Sequence, residues 1–144
     1  MTDPDTYISI TRTWRAPPDE VFRAWTDPAR FGRWFGTEAT TVEDVSIDLQ
    51  VGGEWRARMV LGDGTEIGWH RSYHEVDAPH HLVLSLSDRP GDQYERVTVD
   101  LVAVEGGTQM TFTQSGGNMP PEHHAEAEAG WRAFFDDLAT GLPG

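Results

Sequence analysis

The central part of the chain alternates between short strand-like runs and turn signals rich in glycine and proline. The signals are Gly52-Gly53, Gly62-Asp63-Gly64, Asp77-Ala78-Pro79, Arg89-Pro90-Gly91-Asp92 and Gly106-Gly107. Because such residues allow tight reversals, each signal joins two neighbouring strands, and strands joined in this way run antiparallel. The chain is therefore predicted to form a meander and not an alternation of parallel strands with helices. The predicted strands are Thr41–Val51, Glu54–Leu61, Thr65–Val76, His81–Asp88, Gln93–Glu105 and Thr108–Ser115.

Several of these runs carry apolar side chains at every second position. Successive side chains of a strand point to opposite faces, so the alternation predicts one apolar face of the sheet. The apolar positions are Trp55, Ala57, Met59 and Leu61; Leu82, Leu84 and Leu86; Val97, Val99 and Leu101; and Met110 and Phe112.

The segment before the meander predicts one strand and two short helices. Residues Tyr7 to Trp14 alternate, with Ile8 and Ile10 on the buried side. Pro17-Pro18 ends this strand and begins a helix, because proline at the first helical turn loses no required hydrogen bond. Asp27-Pro28 separates that helix from a second one, in which Phe31, Trp34 and Phe35 recur at helical spacing.

The last segment predicts a longer helix that covers the apolar sheet face. It follows a helix-start cluster at Asn118, Pro120, Pro121 and Glu122, and its apolar stripe comprises Trp131, Phe134, Phe135, Leu138 and Leu142. The order β-α-α-β6-α predicts an α+β fold in which a curved seven-stranded antiparallel sheet wraps around a long C-terminal helix. Residues 1–144 are expected to form a single domain with its core at about 7–142.

The charge and composition exclude several classes of function. The basic count of 11 is entirely arginine, so no lysine can form a Schiff base or bind phosphate in a P-loop. The absence of cysteine excludes disulfides and zinc–cysteine sites. A net charge of −13 disfavours nucleic acid and anionic lipid surfaces as partners. With no apolar run of about 18 residues and no secretion signal, the protein is expected in the cytoplasm.

Several motifs together resemble the activator of heat-shock ATPase homologue-like family. They are Pro17–Trp25 followed by Trp34, Val51-Gly52-Gly53, Glu75-Val76-Asp77-Ala78-Pro79, Gly107-Thr108-Gln109-Met110-Thr111, and Gly130-Trp131 leading to Leu138. This family lies within the START-like, or SRPBCC, superfamily of helix-grip folds. The resemblance implies a seven-stranded sheet that grips the last helix, with a cavity between them. It does not imply one activity, because the superfamily includes carriers, cyclases, oxygenase domains and a co-chaperone domain.

Ten residues are candidates for the lining of this cavity. The apolar candidates suit a flat ring or an acyl chain, and Arg71, Tyr73 and Gln114 could orient a ligand, with Arg71 suited to an acidic group. The alternative for the apolar residues is ordinary core. The alternatives for the polar ones are an arginine paired with a carboxylate such as Glu75 or Glu66, or a face assignment shifted by one residue, since a slip or bulge reverses every side chain. Many relatives carry glycine near Arg71, so its bulk and charge are expected to narrow or polarise the cavity. The set is Trp55, Met59, Trp69, Arg71, Tyr73, Met110, Phe112, Gln114, Trp131 and Phe135.

No catalytic or metal-binding motif is evident. His123, His124, Glu126 and Glu128 resemble a ligand cluster, but the pattern favours a solvated first helical turn because no second ligand pair accompanies it. No cofactor and no metal are therefore predicted.

Three functional hypotheses follow. The first is a non-catalytic domain that binds a small hydrophobic or aromatic molecule. The second is an enzyme of the cyclase, dehydratase or hydrolase type, using Tyr73, His70 or His74 as acid or base. The third is a co-chaperone-like module that binds a protein partner. The sequence fits a monomer and a homodimer equally.

Overall fold

The computed structural model describes residues 6–35, 40–87, 94–115 and 121–140. Its strands and helices follow the predicted order, and Pro121–His123 adds a short 3-10 turn before the last helix. The strands are β1 (Thr6–Trp14), β2 (Thr41–Ile47), β3 (Glu54–Val60), β4 (Glu66–Asp77), β5 (His81–Leu86), β6 (Glu95–Val104) and β7 (Gly107–Ser115). The helices are α1 (Pro18–Thr26), α2 (Pro28–Trp34) and α3 (His124–Thr140).

All seven strands form one antiparallel sheet, in the order β1-β7-β6-β5-β4-β3-β2. The six strands of the meander are neighbours in chain order, as the direct turns require. The first strand returns to pair with the last, so that Ile10 lies opposite Phe112 and Trp14 opposite Thr108. The predicted helix-grip class is therefore confirmed.

The core lies between the inner face of the sheet and the helices. Ile8 and Ile10 are buried, as are the alternating apolar residues of β3, β5, β6 and β7. Trp131, Phe135 and Leu138 of α3 are buried against them, which confirms the predicted stripe for these positions. Leu142, the helix-start residues Asn118 and Pro120, and the ends of the predicted strands at Asp88 and Gln93 lie outside the described residues.

The strand β2 ends at Ile47, four residues before the predicted Val51, because the backbone turns earlier. The amide of Gln50 donates to the carbonyl of Asp48 (2.9 Å), and that of Gly53 donates to the carbonyl of Gln50 (2.8 Å). A Cβ on Gly53 would lie 2.1 Å from the carbonyl oxygen of Asp48, so the turn requires glycine there.

This glycine turn also fixes the middle of β4. The amide of Gly52 donates to the carbonyl of Tyr73 (2.8 Å), and the amide of Tyr73 donates to the carbonyl of Gly53 (2.9 Å). The motif Val51-Gly52-Gly53 thus holds the backbone of a predicted site residue.

Candidate functional site

The strand register places the predicted polar residues on the inner face of the sheet. Gln114 lies opposite both Ile8 and Val97, and Tyr73 lies opposite Leu84, so these two polar side chains share a face with buried apolar ones. Arg71 lies opposite Trp55. Because residues directly opposite in an antiparallel pair point to the same side, all three predicted polar residues face the helices.

The apolar candidates form one aromatic cluster with residues from the first two helices. Phe112 and Trp131 have ring centroids 4.6 Å apart, and Phe135 lies 5.2 Å from Phe112. Trp25 of α1 stacks on both Phe112 (6.1 Å) and Trp131 (6.2 Å). The last helix, the sheet and α1 therefore meet through stacked rings.

Phe35, immediately after α2, connects the remaining tryptophans. Its ring centroid lies 6.1 Å from Trp55, 5.8 Å from Trp69 and 6.1 Å from Trp131. Neither Phe35 nor Trp25 was included in the predicted lining. The helical spacing of Phe35 with Phe31 and Trp34 indicated an apolar stripe, but no local pattern could show that α1 and α2 pack against the same part of the sheet as α3.

A chain of hydrogen bonds joins α3 to the sheet in this region. The indole N–H of Trp131 donates to Oε1 of Gln114 at 2.7 Å, and Nε2 of Gln114 donates to Oε1 of Glu95 at 3.2 Å. All three residues are buried, with Gln114 only 2% exposed. Glu95 was not among the predicted site residues. It precedes the first alternating valine of β6, and alternation would have placed it on the inner face.

Two inner-face residues of β4 are only half-buried, although this strand is not at the edge of the sheet. Trp55 and Ala57 of β3 are buried, whereas their partners Arg71 and Trp69 are only half-buried, although β4 is an interior strand. The guanidinium carbon of Arg71 lies 5.1 Å from the ring centroid of Tyr94. The side chains of Trp69 and Arg71 are therefore partly accessible to solvent.

The carboxylates that were considered as structural partners of Arg71 are engaged elsewhere. Glu66 binds Arg58 at 2.7 Å on the exposed side of the sheet. Glu75 is exposed and lies 3.4 Å from Nε2 of His81. The alternative in which Arg71 pairs with Glu66 or Glu75 is therefore not found among the described residues.

The three residues considered as acids or bases lie in different environments. Burial raises the pKa of the Tyr73 phenol well above its ordinary value, so this inner-face group stays protonated at neutral pH. Burial, followed by the charge of Arg96, lowers the pKa of His74, which stacks on Tyr94 at 6.2 Å. His70 lies opposite Arg56, on the other side of the strand from Arg71.

The six tryptophans differ in how their indole N–H groups are satisfied. Trp34 donates to the carbonyl of Ala24 and Trp55 to that of Ser85, both at 2.8 Å, and Trp131 donates to Gln114. Within the described residues, the buried indole nitrogens of Trp14, Trp25 and Trp69 have no hydrogen-bond partner. A buried donor in this condition costs about 1–3 kcal/mol, and a bound acceptor would relieve that cost.

His123, just before α3, and the acidic residues of that helix form local contacts. Nδ1 of His123 lies 3.8 Å from Glu126, and Glu128 binds Arg132 at 3.2 Å. The described ranges contain no group of three or more metal-ligating side chains placed to hold an ion. Among those same residues, no helix has the length and apolar character required to cross a bilayer.

Comparison with known proteins identifies relatives of the same architecture. The family model described as Activator of Hsp90 ATPase homolog 1-like protein matches residues 15–142. No functionally curated protein gives a significant match.

Solved structures from bacteria share the fold at low sequence identity. A Chromobacterium violaceum protein has a TM-score of 0.86 at 23% identity, covering 99% of this chain and 100% of its own. A Nitrosomonas europaea protein has a TM-score of 0.83 at 22% identity, covering 96% and 95%. A Staphylococcus epidermidis protein has a TM-score of 0.82 at 21% identity, covering 99% and 92%. The match over residues 15–142 and the helix-grip architecture show that this chain belongs to the Activator of Hsp90 ATPase homolog 1-like family of the START-like superfamily.

Proposed function

We propose that this domain binds a small apolar or aromatic molecule between α3 and the inner face of the sheet, without transforming it. The observation that carries this proposal is the half-buried pair Trp69 and Arg71 on an interior strand, beside fully buried aromatic rings. Flat aromatic walls with a few convergent polar groups are typical of small-molecule sites. The proposed lining is Trp55, Met59, Trp69, Arg71, Tyr73, Met110, Phe112, Gln114, Trp131 and Phe135, to which we add Phe35.

In this proposal, the polar groups near β4 orient the ligand. The guanidinium of Arg71 supplies charge-assisted donors for an acidic or carbonyl oxygen. The protonated phenol of Tyr73 is another donor, but a phenol with a raised pKa releases its proton poorly at neutral pH. Orientation is therefore a better role for Tyr73 than acid–base catalysis, and this supports the binding hypothesis over the enzymatic one.

Two fluorescent probes with the same aromatic skeleton test the proposal. N-phenylnaphthylamine is neutral, and anilinonaphthalenesulfonate carries an added sulfonate. We expect both probes to bind the folded protein and to quench its indole emission. Dissociation constants should be about 20–200 μM, or about −5 to −6 kcal/mol, since the probes have roughly 17 to 21 heavy atoms and each heavy atom of a drug-sized ligand contributes only ~0.3 kcal/mol.

A substitution at Arg71 tests the orienting role separately. Arg71→Leu should weaken the sulfonated probe by about tenfold or more, because it removes a charge-assisted bond, and it should leave the neutral probe nearly unchanged. Arg56→Leu is the matched control, because Arg56 is exposed and lies opposite His70 on the other side of the sheet. Equal weakening of both probes by Arg71→Leu would overturn the orienting role. Failure of the folded protein to bind either probe would reject the site and favour a protein-interaction module.

A further inference from the structure

Glu95 places a buried carboxylate at one end of the inner face. It lies opposite Leu86, which shares the inner face with Leu84, and it is only 9% exposed. The pairs Tyr73–Leu84 and His70–Ser87 set a register that places Arg71 beside Leu86 on the neighbouring strand. Glu95 therefore occupies the same end of the sheet as the half-buried Arg71.

The orientation of the Glu95 carboxylate is fixed by a donor chain that starts on α3. The indole of Trp131 can only donate, so the Gln114 atom that it contacts at 2.7 Å must be the amide oxygen. The amide nitrogen of Gln114 then faces Glu95 as a donor, at 3.2 Å from Oε1. Because Trp131 and Gln114 are both buried, this chain holds the carboxylate between the sheet and α3.

A buried carboxylate gains most from groups that can donate hydrogen bonds to it. Removal from water deprives the charged oxygens of their hydrogen bonds to water, and only hydrogen-bond donors can replace those bonds. A carboxylate has about four acceptor positions, and the amide of Gln114 uses one of those on Oε1. An aromatic ligand with a hydroxyl group would provide a charge-assisted bond, which is stronger than a bond between neutral groups. A ligand with the same ring and no donor would provide no such bond.

We propose that Glu95 is a specificity-determining residue, which selects aromatic or apolar ligands that carry a hydroxyl group, with Gln114 and Trp131 as positioning residues. The inference rests on the proposed binding function. It adds to that function a chemical class of ligand, in which a donor faces Glu95 and an acceptor faces Arg71.

Naphthol and methylnaphthalene provide a matched pair of probes, because a hydroxyl in one replaces a methyl in the other. The quantity to measure is the dissociation constant of methylnaphthalene divided by that of naphthol. This ratio is determined for the wild type and for Glu95→Gln, and the two ratios are compared. The cost of desolvating each probe is the same for both proteins and cancels in this comparison. Glutamine preserves the shape of the side chain and an oxygen that can accept from Gln114, so the packing should be retained.

We expect Glu95→Gln to reduce the preference for naphthol by about tenfold, since a bond to a charged acceptor is replaced by one to a neutral amide. Glu105→Gln is the control, because it removes the same charge from an exposed position in the turn between β6 and β7. The preference should stay unchanged in this variant, and urea melts should show that both variants are folded.

The outcomes separate this inference from the proposed function. If both probes bind and their ratio is the same in the wild type and Glu95→Gln, the role of Glu95 is rejected while the binding site stands. A similar change of the ratio in Glu105→Gln would also reject it, because the effect would then come from net charge. If the wild type binds neither these probes nor the anilinonaphthalene pair, the binding function is rejected, and this inference with it.

Discussion

Replacing Trp131 tests how α3 is held on the sheet. The indole is 7% exposed, and its ring centroid lies 4.6 Å from Phe112, 5.8 Å from Phe135 and 6.2 Å from Trp25. Trp131→Ala removes these contacts and leaves a cavity at the junction of three elements. Substitutions of this kind cost about 3–5 kcal/mol. The variant should therefore lose a large part of the roughly 5–15 kcal/mol that stabilises a typical domain.

A milder substitution separates the contribution of the hydrogen bond to stability from the contribution of packing. Trp131→Phe retains a ring but removes the donor, which leaves Oε1 of Gln114 buried without its 2.7 Å contact. The expected cost is about 1–3 kcal/mol plus a smaller loss of packing. In a double-mutant cycle with Gln114→Met, the two substitutions should cost less together than the sum of each alone, because one bond is counted twice.

Urea unfolding followed by circular dichroism measures both effects, provided that the m-value is unchanged. Arg132→Ala is the control on the same helix, because its 3.2 Å ion pair with Glu128 is exposed and such pairs contribute about 0–1 kcal/mol. A loss below about 1 kcal/mol for Trp131→Ala would refute the reasoning, since it would mean that the indole is not buried against Phe112.

Three further predictions concern other parts of the molecule. Trp55→Phe should destabilise the protein by about 1–3 kcal/mol more than Trp25→Phe, because only the Trp55 N–H has a partner to lose; equal urea midpoints would contradict this. The pKa of His81 is raised above its ordinary value of 6.5, mainly by its hydrogen bond to Asp100, so this contact stabilises the fold most below that value and less as the pH rises through the raised pKa. The stability advantage of the wild type over Asp100→Asn in urea melts should therefore shrink as the pH rises from about 6 to 8, and a constant difference would exclude this linkage. Elemental analysis of chelator-free protein should find no stoichiometric zinc or iron, and one metal per chain would overturn this prediction.

The sequence by itself determined the order of the elements and, for most strands, the face that is buried. The turn signals fixed the antiparallel direction, and the period of two placed Trp55, Leu84, Val97 and Phe112 on one side. Both are local properties, since they depend on backbone conformation and on the alternation of side chains within one strand. For the same reason, the face of Gln114 and Tyr73 could be predicted before their neighbours were known.

Only the tertiary structure decided which of these residues meet. The contact of Trp25 with Phe112 and the central position of Phe35 depend on how α1 and α2 cross the sheet, which no local pattern specifies. The pairing of Glu66 with Arg58, where a pairing with Arg71 was one of the alternatives, depends on the register between β3 and β4. The hydrogen bonds from Trp131 through Gln114 to Glu95 join residues on three separate elements, and such long-range contacts exist only once the chain has folded.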